Sequence, residues 1–250
     1  MSKWRLFTFI LVVLIVTVPE SASGQNILPK VTLGLEEAGE PTDFVLTIQI
    51  LALLTILSLA PSIIIMMTSF SRLIIVFHFL RSALATQTVP SNQILVGLAL
   101  FITFYIMKPV ITEINDTALQ PYLRVEITQQ EALNLAGEPM KGFMLNQTRP
   151  KDLELFINLR DAGRPANPQE LPILTVIPAF IISEFKTAFQ IGFLLYLPML
   201  LIDVVVSSVL LSMGMMMLPP MMISMPFKIL LFVLVDGWYL IVESLVQGFA

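Results

Sequence analysis

The sequence predicts an all-α membrane protein with about four apolar spans, built from long bent helices and helical hairpins. Three observations carry this. Apolar residues make up 56% of the 250 residues and charged residues only 13%, about half the charge of an ordinary soluble domain, and the mean hydropathy is +0.85. So few polar side chains could not cover the surface of a soluble fold. The apolar residues fall in long runs, without the strand alternation of an outer-membrane barrel. The charged residues collect in one stretch: 15 of the 32 lie in residues 112–172.

Composition also excludes several classes of function. The 14 basic and 18 acidic residues leave a net charge of −4, so there is no basic field to hold nucleic acid. The absence of cysteine rules out disulfides, Cys-ligated zinc, iron–sulfur clusters and a thiol nucleophile. With one histidine, His78, the chain cannot build a multi-histidine metal site. No enzyme, metal or cofactor is expected.

In chain order, Lys3 and Arg5 precede the 13-residue apolar run Leu6–Val18, followed by Pro19-Glu20-Ser21-Ala22-Ser23-Gly24. This is the layout of a secretory signal peptide over residues 1–24, cut near Gly24. The alternative is a short first span, but 13 residues reach only about 20 Å of a hydrocarbon core about 30 Å thick. Residues 25–43 are polar and acidic and read as an exposed lead-in. Residues 44–111 form the first apolar hairpin. Its spans are Phe44–Met67, with Pro61 as a bend, and Gln93–Ile111, with Lys108 placed to snorkel. They flank a basic loop, 68–92, that holds Arg72, His78 and Arg81 and no acid. Residues 112–172 are the water-exposed segment, with helices expected at Thr128–Ala136 and Pro150–Leu159, each opened by a residue suited to a helix start. Residues 173–250 form a second apolar hairpin around a methionine-rich loop, 212–226. The basic 68–92 loop belongs in the cytoplasm by the positive-inside rule. The segment 112–172, net −3, then lies outside, in agreement with a cleaved signal peptide.

Ionisable groups at membrane depth are expensive unless paired or wet. Ile173–Leu211 is 39 residues long and contains Glu184, Lys186 and Asp203; it is either one long bent helix partly outside lipid or two pieces. Glu184 and Lys186 lie about 200° apart on a helix and cannot pair with each other, whereas Lys186 shares a face with Gln190. Glu184, Lys186, Asp203 and Asp236 therefore call for partners on other helices or other subunits, with Glu184 and Lys186 expected to pair between subunits. Snorkelling suits Lys228 and Glu243. Arg72 and Arg81 read first as topogenic surface charges.

Seven of the 14 methionines fall in Ser212–Pro226, together with Gly214, Pro219, Pro220 and Pro226. The glycine and prolines argue against a continuous helix. Methionine is unbranched and fits irregular shapes, so the block suits a deformable apolar constriction; loose packing or a hairpin turn in lipid would use the same residues.

Four stretches resemble the FliP family of flagellar type III export-gate membrane proteins: MTSFSRLIIVFHFLRSALATQ at 67–87, NQILVGLALFITFYIMKPV at 92–110, PAFIISEFKTAFQIGFLLYLPMLLIDVVVSSVLLSMGMMMLPP at 178–220 and PFKILLFVLVDGWYL at 226–240. The departures are Ala85, Lys108 and His78. The resemblance implies a homo-pentamer in the bacterial inner membrane, with substantial periplasmic exposure, in the flagellar basal body. It implies assembly with FliQ, FliR and other export-apparatus membrane proteins into a helical ring that passes unfolded flagellar subunits. Membrane lipid is a further partner and nucleic acid is not. The resemblance also implies that Met215, Met216 and Met217 form a methionine gasket closing the pore, and it places Glu184, Lys186, Asp203, Lys228 and Asp236 at signature positions.

Two other functions fit parts of the chain. A small-solute transporter or ion channel subunit would share the apolar helices and buried charges, but no inverted repeat is visible. An intramembrane aspartyl protease could use Asp203 and Asp236, but neither stands in a Gly-x-Gly-Asp context.

Overall fold

A computed structural model describes residues 41–160, 167–215 and 218–249. The signal peptide at 1–24, the lead-in up to residue 40, and Met216 and Met217 lie outside the described residues. The chain divides between Leu51 and Ala52 into two units, and the packing below is that of the unit beginning at Ala52.

The described residues carry helices and no strand. Helix α1 (Pro41–Met66) contains the span Thr47–Met66. Leu53, Leu54, Ile56 and Leu57 on it are all more than half exposed. A helix that is apolar all round and exposed all round requires lipid or other protein as its surroundings.

Helix α2 (Phe70–Ala83) departs from the sequence reading, which placed these residues in a loop. The reason is periodicity: Leu73, Val76, Phe77, Leu80 and Ala83 recur at helical spacing, and all are at most 2% exposed. The stretch read as a basic loop is the most deeply buried helix of the fold. It packs mainly against α7 and also against α3.

Helix α3 (Asn92–Ile114) continues through a π-helical turn at Asn115–Leu119 into α4 (Gln120–Leu123), giving 32 residues in one span. Helix α5 (Gln129–Gln147) opens with a capping box, in which Glu131 N–H donates to Thr128 Oγ1 at 3.3 Å and Thr128 N–H donates to Glu131 Oε2 at 3.1 Å. Helix α6 (Pro150–Asn158) starts on proline, which has no N–H to leave unsatisfied there. Both lie where the sequence placed helices, and α5 runs further than expected.

Helix α7 (Ile173–Ser212) is a single helix of 40 residues, about 60 Å long and twice the hydrocarbon thickness; the two-piece alternative does not hold. Helix α8 (Pro220–Leu234) and α9 (Gly237–Gln247) meet at an elbow of 63°. Among the described residues three helices are long and apolar enough to cross a membrane, or up to four spans if the bent pair counts as one.

Two buried clusters organise the unit. In one, α5 and α6 dock on the first part of α7 through Met144, Leu153, Val176, Ala179 and Phe180. In the other, α2 sits among α3, α7, α8 and α9 through Phe77, Leu95, Ala188, Phe232 and Leu245. Helix α7 belongs to both, so it fastens the polar segment to the apolar one.

Candidate gate loop and buried charge pairs

The end of α7 fixes Met215, the first methionine of the candidate gate. Gly214 has φ +74°, a backbone conformation open to glycine and costly for other residues. Gly214 N–H donates to Leu211 O at 3.1 Å and Met215 N–H to Leu210 O at 3.0 Å. This pair of bonds is the Schellman closure of a helix. It holds the Met215 backbone against the last turn while leaving the residue 44% exposed. On the other side Pro219 and Pro220 start α8, with Pro220 in the first helical position. Gly214 and Met215 are thus fixed by the end of α7, and Pro219 by the start of α8. Met221, Met222 and Met225 lie in α8 rather than in the loop: Pro220 is tolerated in the first helical position, and Pro226 stands inside the helix, where it removes one backbone hydrogen bond without ending it.

Glu184, 0% exposed, projects from α7 to meet Arg72 of α2, 4% exposed. The contact is bidentate: Arg72 Nε donates to Glu184 Oε2 at 2.9 Å and Nη2 donates to Oε1. Arg72 also donates to Gln147 Oε1 at 3.1 Å and to the Gly248 carbonyl at 3.2 Å, and its guanidinium lies 3.7 Å from the centre of the Phe249 ring. One arginine thus joins α2, α5, α7 and the segment after α9. The reading of Arg72 as a topogenic surface charge is corrected; it is a buried structural cation.

Lys186 pairs with Asp152 of α6. Its half-exposed ammonium covers a carboxylate that is 3% exposed. Next to it, Arg149 Nη2 donates to Thr187 Oγ1 at 3.1 Å and Gln190 Oε1 at 2.5 Å, and Arg149 N–H donates to Ser183 Oγ at 3.0 Å. The expected intersubunit partners of Glu184 and Lys186 are replaced by partners on other helices of the same chain. The two charges leave α7 on different faces, as their spacing requires, one toward α2 and one toward α6.

Asp203, further along α7, accepts from Ser224 Oγ at 2.5 Å and from Lys228 Nζ at 2.7 Å. Ser224 and Lys228 are four apart on α8 and share a face. Lys228 is 2% exposed, so it is a buried partner rather than a snorkelling residue. Asp236 stands apart. It occupies the elbow with φ +51°, is exposed, and among the described residues its carboxylate makes no hydrogen bond or ion pair. Gly237 follows because a Cβ there would lie 2.3 Å from the Phe232 ring. Asp203 is taken up by Ser224 and Lys228 while the Asp236 carboxylate makes no hydrogen bond, so the two aspartates do not form a proton-sharing dyad. Among the described residues no group of three or more His, Cys, Asp or Glu side chains converges.

The sequence reading did not pick out Arg72, Gln147, Arg149, Asp152 or Ser224 as partners. The signal for Ser224 was present, as a polar residue one helical turn before a lysine. Arg72 and Glu184 are 112 residues apart, and no local pattern connects them.

Residues 53–245 match the model of the FliP family. The chain belongs to the FliP family. It is 55% identical over 217 residues to the flagellar biosynthetic protein FliP of Bacillus subtilis (strain 168), covering 87% of this chain and 98% of that protein. It is 51% identical to the protein of that name from Aquifex aeolicus (strain VF5), covering 81% and 86%, and 49% identical to that of Cereibacter sphaeroides, covering 87% and 72%. The FliP match takes in the buried charge pairs, the residues of the gate loop and the elbow.

Proposed function

We propose that the chain is a core subunit of the flagellar type III protein export gate. It lines the channel through which unfolded flagellar subunits cross the bacterial inner membrane, as a homo-pentamer assembled with FliQ and FliR. The observation that supports this best is the end of α7. A Schellman closure followed by an exposed methionine holds a thioether at a defined height while leaving its side chain free to move. Repeated around a ring with Met216 and Met217, it makes a pliable apolar seal. A photoreactive residue in place of Met215 crosslinks to a flagellar subunit stalled in export, and one in place of Lys151 on α6 does not. Failure to trap the stalled subunit at Met215 in an assembled apparatus contradicts the proposal.

In this function the loop between α2 and α3 faces the cytoplasm and α4 to α6 face the periplasm. Gln130 and Thr88 are both exposed and suit cysteine labelling. Gln147 does not, because it holds Arg72. In cells with a permeable outer membrane, an impermeant thiol reagent labels a cysteine at Gln130. It labels one at Thr88 only after the inner membrane is opened. The opposite pattern reverses the topology.

A further inference from the structure

A groove of about 430 Å³ lies between α3 and α9, lined by Tyr105, Ile106, Lys108, Pro109, Val246 and Phe249. We infer that it binds one anionic phospholipid of the surrounding bilayer, with Lys108 at the phosphate and the acyl chain against Pro109, Val246 and Phe249.

Charge is the first reason. Lys108 is exposed on α3 directly after the uncharged run Ile94–Met107, the one acid of the helix, Glu113, lies about 140° round it, and among the described residues the Lys108 ammonium has neither a hydrogen bond nor an ion pair. A cation in this position requires an anion or water.

Depth is the second. From Asn92 to Lys108 the helix rises about 24 Å, and the lysine stem adds about 6 Å, so the ammonium reaches the level where a hydrocarbon core about 30 Å thick gives way to headgroups. Tyr105, one turn earlier on the same face, has the amphipathic ring enriched at that level, and its hydroxyl supplies a second donor.

The third reason is that the groove is already formed. Phe249 is held by the Arg72 guanidinium at 3.7 Å and stacks on Phe143 at 6.1 Å with an interplanar angle of 15°. Proline at 109 donates no backbone hydrogen bond to the Tyr105 carbonyl, leaving an acceptor beside the lysine for a glycerol hydroxyl. A protein occupant would have to bring its own acid to this depth, at the cost of burying it, whereas an anionic lipid arrives with its charge already at the interface.

The inference rests on α3 crossing the membrane and is independent of the export-gate proposal. The test is native mass spectrometry of the full-length protein, in its complex, released from nanodiscs of equal phosphatidylglycerol and phosphatidylcholine with matched acyl chains. Both lipids carry a phosphate, but only the first is net anionic. The wild type retains phosphatidylglycerol over phosphatidylcholine by about fivefold, the preference one interfacial lysine supplies. Lys108→Ala brings the ratio to parity, Lys108→Arg keeps it, and Lys151→Ala on the exposed face of α6 leaves it unchanged. Should the alanine variant fail to assemble, Lys108→Gln gives the same reading with the stem largely preserved. Equal retention by the wild type, an unchanged preference in Lys108→Ala or Lys108→Gln, or no retained lipid because another protein chain covers the groove would each overturn the inference.

Discussion

Glu184→Ala is expected to destabilise the fold by about 3–5 kcal/mol, the usual cost of removing one partner from a buried ion pair. Most of this does not come from the lost attraction. It comes from leaving the Arg72 guanidinium inside the protein with only Gln147, the Gly248 carbonyl and the Phe249 ring to receive it. Because Arg72 joins α2, α5, α7 and the segment after α9, the damage should appear as loosened packing among these helices rather than as fraying at one end. Two further variants separate the causes. Glu184→Gln keeps a neutral acceptor and should fall between wild type and alanine. The double variant Glu184→Leu with Arg72→Met replaces the pair by apolar side chains of similar volume and should recover much of the loss, since a well-packed apolar pair removes the desolvation penalty. Thermal melting midpoints and protease resistance in nanodiscs give the ranking. A Glu184→Ala protein as resistant as the wild type would falsify the assignment of this pair as the principal tie between the helices.

What the sequence allowed to be read follows from the range of each interaction. The spans at Phe44–Met67 and Gln93–Ile111 were legible because apolar run length is a local property. So was the start of α5, where Thr128 and Glu131 cap a helix by contacts three residues apart. Leu73, Val76, Phe77 and Leu80 carry the helical period of α2, but Arg72, His78 and Arg81 interleaved with them give the stretch the look of a basic loop. The need of Glu184, Lys186 and Asp203 for partners was legible from the cost of burial, but the identity of those partners was not. Arg72, Asp152 and Lys228 approach only when distant helices pack, and one sequence does not say whether a missing counter-charge lies in the same chain or the next. The gate loop was legible in part. Gly214 and Pro220 mark its ends by local rules, while the height at which Met215 is held depends on the closure at Leu210.

Met215, Met216 and Met217 are proposed to seal the channel. Replacing all three with alanine removes three heavy atoms from each side chain and retracts the seal by about 3 Å around the ring. A dewetted apolar constriction blocks ions while it stays narrow, and widening admits water and then ions. Leucine in place of the three keeps the bulk but adds branching and stiffness, so that variant should remain closed while exporting more slowly. The direct measurement is inner-membrane conductance, or uptake of a small, normally excluded solute, in cells carrying the triple-alanine variant, with the complex quantified in the same cells. A clear rise in permeability is expected at normal complex levels. Unchanged permeability with the complex fully assembled would contradict it and leave the three methionines as packing material.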